Sequence, residues 1–270
     1  MSVSTDAQPK AQPETVALFV SDIHLSPQMP KTAAAFFGFL AGPARRTRQL
    51  YLLGDIFEYW AGDDDLDDPF NRSVVDALRA VSDHGVALYW IAGNRDFLVG
   101  DAFAQACGAT LLPDPFVAEF AGAAGVADAA GSSKTRLLLL HGDAQCTDDT
   151  GYMAFRAQVR DRNWQLAFLA RPLAERKTII ASLREGSRDT QRGKTMAIMD
   201  VNGAEIAKLF TQHRVNQMIH GHTHRPAVHR TAEGVRYVLP DWDCEGDTRR
   251  GGWLAMTADG NITAMTLDDA

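Results

Sequence analysis

Five short apolar runs of the strand type are each followed directly by side chains that can bind a metal ion. The runs are VALFV, LYLLG, VALYWI, RLLLL and VNQMIH. Ligands of open α/β sheets bind outside the carboxyl ends of the strands, so residues at five strand ends can converge on one place. The candidate ligands, in chain order, are Asp22, His24, Asp55, Asn94, His141, His222 and His224. A single histidine at a strand end is usually structural, but five such ends together predict a metal site.

The donor atoms of this set predict two ions rather than one. Carboxylates, an amide and imidazoles without a thiolate favour Mn, Fe or Zn. Seven ligands exceed the needs of one open catalytic ion, whereas two ions about 3.5 to 4 Å apart can share a bridging carboxylate. Asp55 is the natural bridge, because it stands alone between the DxH motif and the Asn94/His141 pair. His220 is two residues before His222, but it lies inside the apolar run and we expect it to be structural.

The periodicity between these runs predicts an α/β fold, with one domain over residues 16–270 after a flexible tail of residues 1–15. Helical spacing is clearest in TAAAFFGFLAG and NRSVVDALRAVSDHG, where Gly85 fits a helix C-cap. The later runs VRYVL, WLAMT and ITAMTL are separated by turn-like sequences, so we expect an antiparallel addition to the same sheet. Residues 121–134 are rich in Ala, Gly and Ser and predict a flexible hairpin tip.

The charges are unevenly distributed along the chain. A formal net charge of −7 argues against a nucleic-acid-binding protein. Residues 151–195 nevertheless hold ten Lys/Arg against four Asp/Glu, which favours an anionic partner. The acidic run DDDLDD at 63–68 is interpreted as a solvated loop without a chemical role.

No segment of the sequence indicates export or membrane insertion. The first fifteen residues lack the apolar core of a signal peptide, and no run approaches the roughly 18 apolar residues of a spanning helix. Cys107, Cys146 and Cys244 form no CxxC pair, which suits a reducing compartment. We therefore expect a cytoplasmic protein.

Residues 147–210 are far longer than a crossover connection requires and predict an inserted helical lid. Apolar residues recur there at helical spacing in two groups, Tyr152, Phe155 and Val159, then Trp164, Phe168 and Leu169. A helix that packs its apolar stripe on the domain is the usual explanation of such a pattern. The alternative is a lid that offers an apolar cleft to acyl chains and cations to phosphate, and that contacts anionic lipid headgroups.

The motifs DIH, GD, GN, HGD and GHTH, in that order between residue 17 and about 245, resemble the calcineurin-like metallophosphoesterase superfamily. That resemblance implies a β-sandwich flanked by helices, with an inserted helical lid. The longer strings LLGDIFEYWAGDDD, AGNRDFLVG, HGDAQCTDDTGYMAFR, AIMDVN and IHGHTHRPAVH resemble one branch of it. Its members hydrolyse the pyrophosphate bond of UDP-2,3-diacylglucosamine to UMP and 2,3-diacylglucosamine 1-phosphate (lipid X) during lipid A biosynthesis, peripherally on the cytoplasmic face of the inner membrane.

The resemblance also implies roles for individual residues. Two Mn²⁺ ions would be held, one by Asp22, His24, Asp55 and His224, the other by Asp55, Asn94, His141 and His222. A hydroxide bridging the ions would attack the α-phosphorus. The implied substrate contacts are Asn94, Arg95, Asp149, Ser187, Gln191, Lys194 and His222. The branch carries asparagine where this chain has Gln191.

Arg95 stands where most of the superfamily has a histidine, giving GNR instead of GNH. A histidine is suited to helping an alkoxide leave, whereas arginine keeps its proton because its pKa lies above about 12. A phosphate monoester, with a second pKa of about 6, can leave without a proton. We therefore expect a catalytic Arg95 that clamps the second phosphate and stabilises charge as the P–O bond breaks. The plainer interpretation is an ion pair between Arg95 and Asp96.

Two other functions stay open at this point. Another dinuclear-metal phosphodiesterase acting on nucleotides would share the ligand set, although Arg95 and the basic segment count against it. A scaffold that keeps the fold without catalysis is the second, and the complete set of ligands argues against it.

Overall fold

The computed structural model describes residues 14–121, 134–191 and 200–269, without the side chains of residues 185–191. The helices in these ranges are α1 (Pro30–Ala41), α2 (Pro69–Asp83), α3 (Asp101–Cys107), α4 (Thr150–Arg160), α5 (Arg162–Leu169), α6 (Leu173–Gln191) and α7 (Gly203–His213). The strands are β1 (Thr15–Val20), β2 (Gln49–Leu53), β3 (Ala87–Ile91), β4 (Ala109–Leu111), β5 (Phe116–Ala121), β6 (Lys134–Leu139), β7 (Gln217–His220), β8 (Ala227–Arg230), β9 (Val235–Val238), β10 (Gly252–Thr257) and β11 (Ile262–Thr266).

The described strands form two sheets. The first has the order β11-β10-β1-β2-β3-β4, with β1 to β4 parallel and the last two strands antiparallel. The second has the order β5-β6-β7-β9-β8, with β6, β7 and β9 parallel. The expectation that β9, β10 and β11 extend one sheet together is wrong, because β9 joins β7 in the second sheet. An apolar run shows that a strand forms, but it does not specify which of the two sheets the strand joins.

The two sheets pack face to face and helices cover their outer faces, so the expected α/β sandwich is confirmed. Phe19 on β1 stacks on Tyr51 of β2 at 5.1 Å between ring centroids and meets Phe120 of the second sheet edge-on at 6.4 Å. Alternate residues of the same strands, such as Leu18, point outward into a core shared with α1 and α2. Strands buried on both faces read as continuous apolar runs, which is why the sequence shows them so clearly.

The two predicted helices are present as α1 and α2. Asp68 caps α2 by accepting hydrogen bonds from the backbone N–H groups of Phe70 and Asn71, and Pro69 occupies the first turn. Gly85 adopts φ +87° just beyond the end of α2, which is the left-handed conformation that favours glycine there.

The insertion between β6 and β7 contains α4, α5 and α6, whereas α7 packs Ile206 and Phe210 on the second sheet. Phe168 on α5 is buried in the core under the first sheet. Other apolar side chains of the insertion are exposed: Phe155, Leu166, Leu169 and Leu183. None of the described helices is both long and apolar enough to cross a membrane.

The predicted hairpin tip connects two strands that pair antiparallel. Ala121 at the end of β5 lies opposite Lys134 at the start of β6. Residues 122–133 between them lie outside the described residues.

Candidate dinuclear metal site

All seven predicted ligands lie at the carboxyl ends of β1, β2, β3, β6 and β7, where the structure brings them together. Asp22, His24 and His224 form one group, and Asp55, His141 and His222 form another, with the ligand atoms of each group within 4.8 Å of one another. Asn94 joins the second group, its Oδ1 lying 3.0 Å from His141 Nε2. The first group comes from the ends of β1 and β7, and the second comes from the ends of β2, β3, β6 and β7. Two such groups of donors suit two ions. The bridging role of Asp55 stays a prediction.

The first group fits a cation because it contains a buried carboxylate oxygen without a partner. Asp22 is fully buried, and its Oδ2 accepts hydrogen bonds from Ser21 Oγ and the backbone N–H of His222. Its Oδ1 is buried and, within the described parts of the chain, has no hydrogen-bond partner; it lies 3.4 Å from His224 Nε2. A buried acceptor left unsatisfied costs about 1 to 3 kcal/mol, which a bound cation would offset.

The electrostatics of the site favour added positive charge. Burial by itself lowers the pKa of His141, but the carboxylates of Asp55 and Asp22 raise it to about 9. Burial by itself raises the pKa of Asp22, but the neighbouring imidazole of His224 and the charge of His141 hold that pKa well below its usual range. Divalent cations bound by these residues would take over the role of those protons.

The backbone at the ligands adopts a conformation that non-glycine residues rarely take. Asp22, His24, Asp55, His222 and His224 have φ between 54° and 66°. Left-handed backbone in non-glycine residues clusters at functional sites, where the surrounding structure maintains it. In each case the turn directs the side chain out of the strand end and into the shared site.

The glycines beside the ligands permit the close approach of neighbouring loops. A Cβ added to Gly93 would overlap Asp55 Oδ1 and the backbone nitrogen of Asp55. A Cβ on Gly54, which has φ +86°, would lie 2.6 Å from His141 Nδ1. The GD and GN motifs therefore depend on glycine because two loops that carry predicted ligands cross there.

Asp96 supports these loops instead of pairing with Arg95. It is fully buried and accepts hydrogen bonds from the backbone N–H groups of Gly93 and Ile56, both at 2.8 Å. Burial and the neighbouring charge of Asp55 raise its pKa to about 6. Among the described residues, the Arg95 guanidinium has no hydrogen-bond or ion-pair partner, while its backbone N–H donates to Asp55 Oδ1. The plainer interpretation of Arg95 is thus not what the structure shows.

The predicted substrate contacts are placed unevenly. Asn94 and His222 lie at the candidate metal site, and the His222 and His141 rings are 5.1 Å apart. Asp149 caps α4 by accepting a hydrogen bond from the backbone N–H of Tyr152. Ser187 and Gln191 belong to α6, but the structure does not describe their side chains. Lys194 lies outside the described residues.

His220 is placed as expected, behind the ligands. It is fully buried, its Nδ1 lies 2.8 Å from the Gly221 carbonyl oxygen, and its Nε2 lies 3.0 Å from Arg236. Burial lowers its pKa to about 3, so it is neutral.

Asp143, which the sequence interpretation did not single out, anchors α4 to the site. This buried carboxylate accepts hydrogen bonds from Tyr152 Oη at 2.6 Å and Arg156 Nε at 2.8 Å. Arg160 of the same helix donates to the Gly93 carbonyl oxygen at 2.9 Å. The position of Asp143, two residues after His141 in the HGD motif, was the sequence signal that could have identified it.

The acidic run at 63–68 is not the solvated loop that we expected. Asp65 is only 4% exposed and pairs with Lys177 of α6 at 2.7 Å, and Asp64 pairs with the buried Arg176. Asp63 accepts hydrogen bonds from the backbone N–H groups of Gly100 and Phe103 and from Trp60 Nε1. The interpretation failed because these cations lie more than a hundred residues away in the sequence.

Comparison with known proteins gives consistent matches. A model of the calcineurin-like phosphoesterase family matches residues 16–226. A UDP-2,3-diacylglucosamine hydrolase of Aromatoleum aromaticum is 49% identical over 232 residues, 84% of this chain and 89% of that protein. One of the same name from Escherichia coli is 46% identical over 233 residues, 85% of this chain and 92% of its own. A solved archaeal phosphodiesterase structure aligns with a TM-score of 0.42 at 10% identity, covering 93% of this chain and 98% of its own.

Proposed function

We propose that this chain, which belongs to the calcineurin-like phosphoesterase family, hydrolyses the pyrophosphate bond of UDP-2,3-diacylglucosamine. The products are UMP and 2,3-diacylglucosamine 1-phosphate. The observation that carries this proposal is the 49% and 46% identity, over most of both chains, to proteins named for hydrolysis of that substrate.

The residues at the strand ends would hold two divalent ions, for which we propose Mn²⁺. Such ions supply positive charge to phosphate oxygens and lower the pKa of water so that it can act as a nucleophile. We assign the attack to the α-phosphorus, so that the new oxygen leaves with UMP. Asp22 and Asp55 also accept hydrogen bonds from the backbone N–H groups of His222 and Arg95, which hold the ligand loops together. The left-handed turns at the ligands fix the geometry of the site before substrate binds.

Arg95 is proposed to bind the phosphate of the leaving lipid. Its guanidinium has no partner among the described residues, although its backbone is fixed by the hydrogen bond to Asp55. A free guanidinium held beside the metal site can form a bidentate contact with the second phosphate and stabilise the charge that develops there. The same group cannot protonate an alkoxide, which disfavours simple phosphodiesters as substrates.

The insertion is proposed to bind the acyl chains and to contact anionic lipid on the cytoplasmic face of the inner membrane. Leu166 is 58% exposed and Leu183 is 45% exposed, on helices that also carry the basic surplus. Exposed apolar side chains beside arginines fit a diacylated substrate and a headgroup surface. Phe168 is excluded from this role because it is buried in the domain core.

The test compares hydrolysis of UDP-2,3-diacylglucosamine with that of bis-p-nitrophenyl phosphate, using chelated protein before and after addition of Mn²⁺. We expect metal-dependent release of UMP and a strong preference for the lipid nucleotide. Asp55→Asn should reduce kcat by more than a hundredfold, because charge stabilisation at the reacting phosphate is lost. Asp67→Asn is the matched control, since Asp67 is 92% exposed and forms a surface ion pair with Arg72. Preference for the aryl diester would indicate a nucleotide phosphodiesterase, and no hydrolysis without metal binding would indicate a scaffold.

A further inference from the structure

A chain of three side chains connects helix α6 of the insertion to one of the predicted metal ligands. Glu58 follows β2, three residues after Asp55, and is half-buried. Its Oε2 lies 3.0 Å from His24 Nδ1, and its Oε1 accepts a hydrogen bond from Arg184 Nη2 on α6. Arg184 also lies over the Tyr59 ring, 5.7 Å from its centroid.

The orientation of His24 gives this contact a specific consequence. Its Nε2 faces the other donors and lies 3.2 Å from His224 Nε2, so its Nδ1 is the nitrogen on the side away from the ligand group. The contact of His24 Nδ1 with Glu58 Oε2 is a short ion-pair contact of 3.0 Å that does not have the geometry of a standard hydrogen bond. A carboxylate on the outer nitrogen of a metal-binding histidine fixes its tautomer and increases its basicity.

The backbone places Glu58 beside His24 independently of the side chains. The Glu58 N–H donates to the Leu25 carbonyl oxygen at 3.0 Å, and the His24 N–H donates to the Asp55 carbonyl oxygen at 3.0 Å. The loops after β1 and β2 are thus paired through their backbones at this point. Arg184 comes from outside these loops, 126 residues away in sequence. Arg95, on the loop after β3, adds a second positive charge that acts on Glu58.

We propose that Glu58 is a positioning residue for His24, and that Arg184 acts through Glu58, so that helix α6 contributes to the ion site of Asp22, His24 and His224. The inference rests on the proposed function only in requiring that this site binds a divalent cation. It adds that the insertion, besides meeting substrate, supports one of the two metal sites.

The experiment is a calorimetric titration of the chelated full-length protein with Mn²⁺, without substrate. Wild type should bind two ions, and Glu58→Ala should weaken one of them about 10- to 100-fold, the usual effect of removing such an outer partner. Glu58→Gln should recover part of the affinity, because an amide oxygen can still accept from Nδ1–H. Arg184→Ala should weaken the same ion less, and Arg184→Ala combined with Glu58→Ala should be no weaker than Glu58→Ala alone.

Arg171→Ala provides the matched control on the same segment. Arg171, just before α6, pairs with Glu175, whereas the described ion-pair partners of Glu58 are His24 and Arg184. We expect wild-type affinities for both ions in this variant. Circular dichroism of every variant establishes that a change in affinity is not a change in folding.

Kinetics separate this role from a direct contact with substrate. Raising Mn²⁺ to saturation should restore kcat of Glu58→Ala towards the wild-type value, because only ion affinity was reduced. Wild-type affinity for both ions in Glu58→Ala would overturn the inference. So would an Arg184→Ala variant with unchanged ion binding and a raised KM, since Arg184 would then act on substrate. A wild-type protein that binds no Mn²⁺ would instead reject the proposed metal site itself, and the inference with it.

Discussion

Replacing Arg176 by methionine should destabilise the protein, because this guanidinium fastens α6 to the acidic run at 63–68. Arg176 is 1% exposed. Its Nε donates to the Arg171 carbonyl oxygen at 3.0 Å, and its other two nitrogens donate to the Ala61 carbonyl oxygen and to the Asp64 carboxylate. A methionine would fill the space without making any of these bonds.

The expected loss can be worked out from the burial of each acceptor. Ala61 is fully buried, so its carbonyl oxygen would lose its donor at a cost of about 1 to 3 kcal/mol. Asp64 is 58% exposed, so the ionic part of the contact contributes only about 1 kcal/mol. The carbonyl oxygen of the exposed Arg171 can turn to water. The sum is a loss of about 2 to 4 kcal/mol in the free energy of unfolding.

Urea unfolding of the wild type, Arg176→Met and Arg72→Met measures this difference. Arg72 pairs with Asp67 in the same acidic run, but Asp67 is 92% exposed, so we expect a change of no more than about 0.5 kcal/mol. A second variant, Gly62→Ala, should act like Arg176→Met because a Cβ there would overlap Arg176 Nη1. An Arg176→Met change no larger than that of Arg72→Met would refute the reasoning.

Outcomes for four further variants are expected. Arg95→His should raise the ratio of kcat/KM for bis-p-nitrophenyl phosphate to that for the lipid nucleotide, because imidazole can protonate an alkoxide; an unchanged ratio would reject the leaving-group argument. Gly93→Ala should lower kcat at least about a hundredfold by displacing Asp55, and activity near wild type would contradict the crossing of the loops. Leu166→Asp should leave stability unchanged yet raise KM for the diacylated substrate about tenfold or more, at about 0.8 kcal/mol per methylene. Phe168→Ala should instead cost about 3 to 5 kcal/mol of stability, and equal stability of the two variants would show that the surface and core assignments are wrong.

The sequence predicted those features that local patterns encode. The strands buried on both faces appear as apolar runs, and the polar residue after each run marks the strand end where the site lies. The N-cap and C-terminal glycine of α2 are equally local signals. The convergence of the candidate ligands followed from topology alone, since parallel strands end at the same edge.

The features that the sequence did not predict depend on distant contacts. Arg176 meets Asp64 from 112 residues away, and Arg184 meets Glu58 from 126 residues away. No short sequence pattern distinguishes an acidic residue that pairs with a distant arginine from one that is exposed to water. The sequence did not predict which sheet β9 joins for the same reason, because its apolar run suits either sheet.

The most direct test of the central claim is mass spectrometry of the products formed from UDP-2,3-diacylglucosamine by the purified protein and Mn²⁺ in ¹⁸O-labelled water. Attack of water on the α-phosphorus predicts one ¹⁸O atom in UMP and none in 2,3-diacylglucosamine 1-phosphate. Label in the lipid phosphate would contradict the proposed attack. Absence of either product would contradict the proposed function.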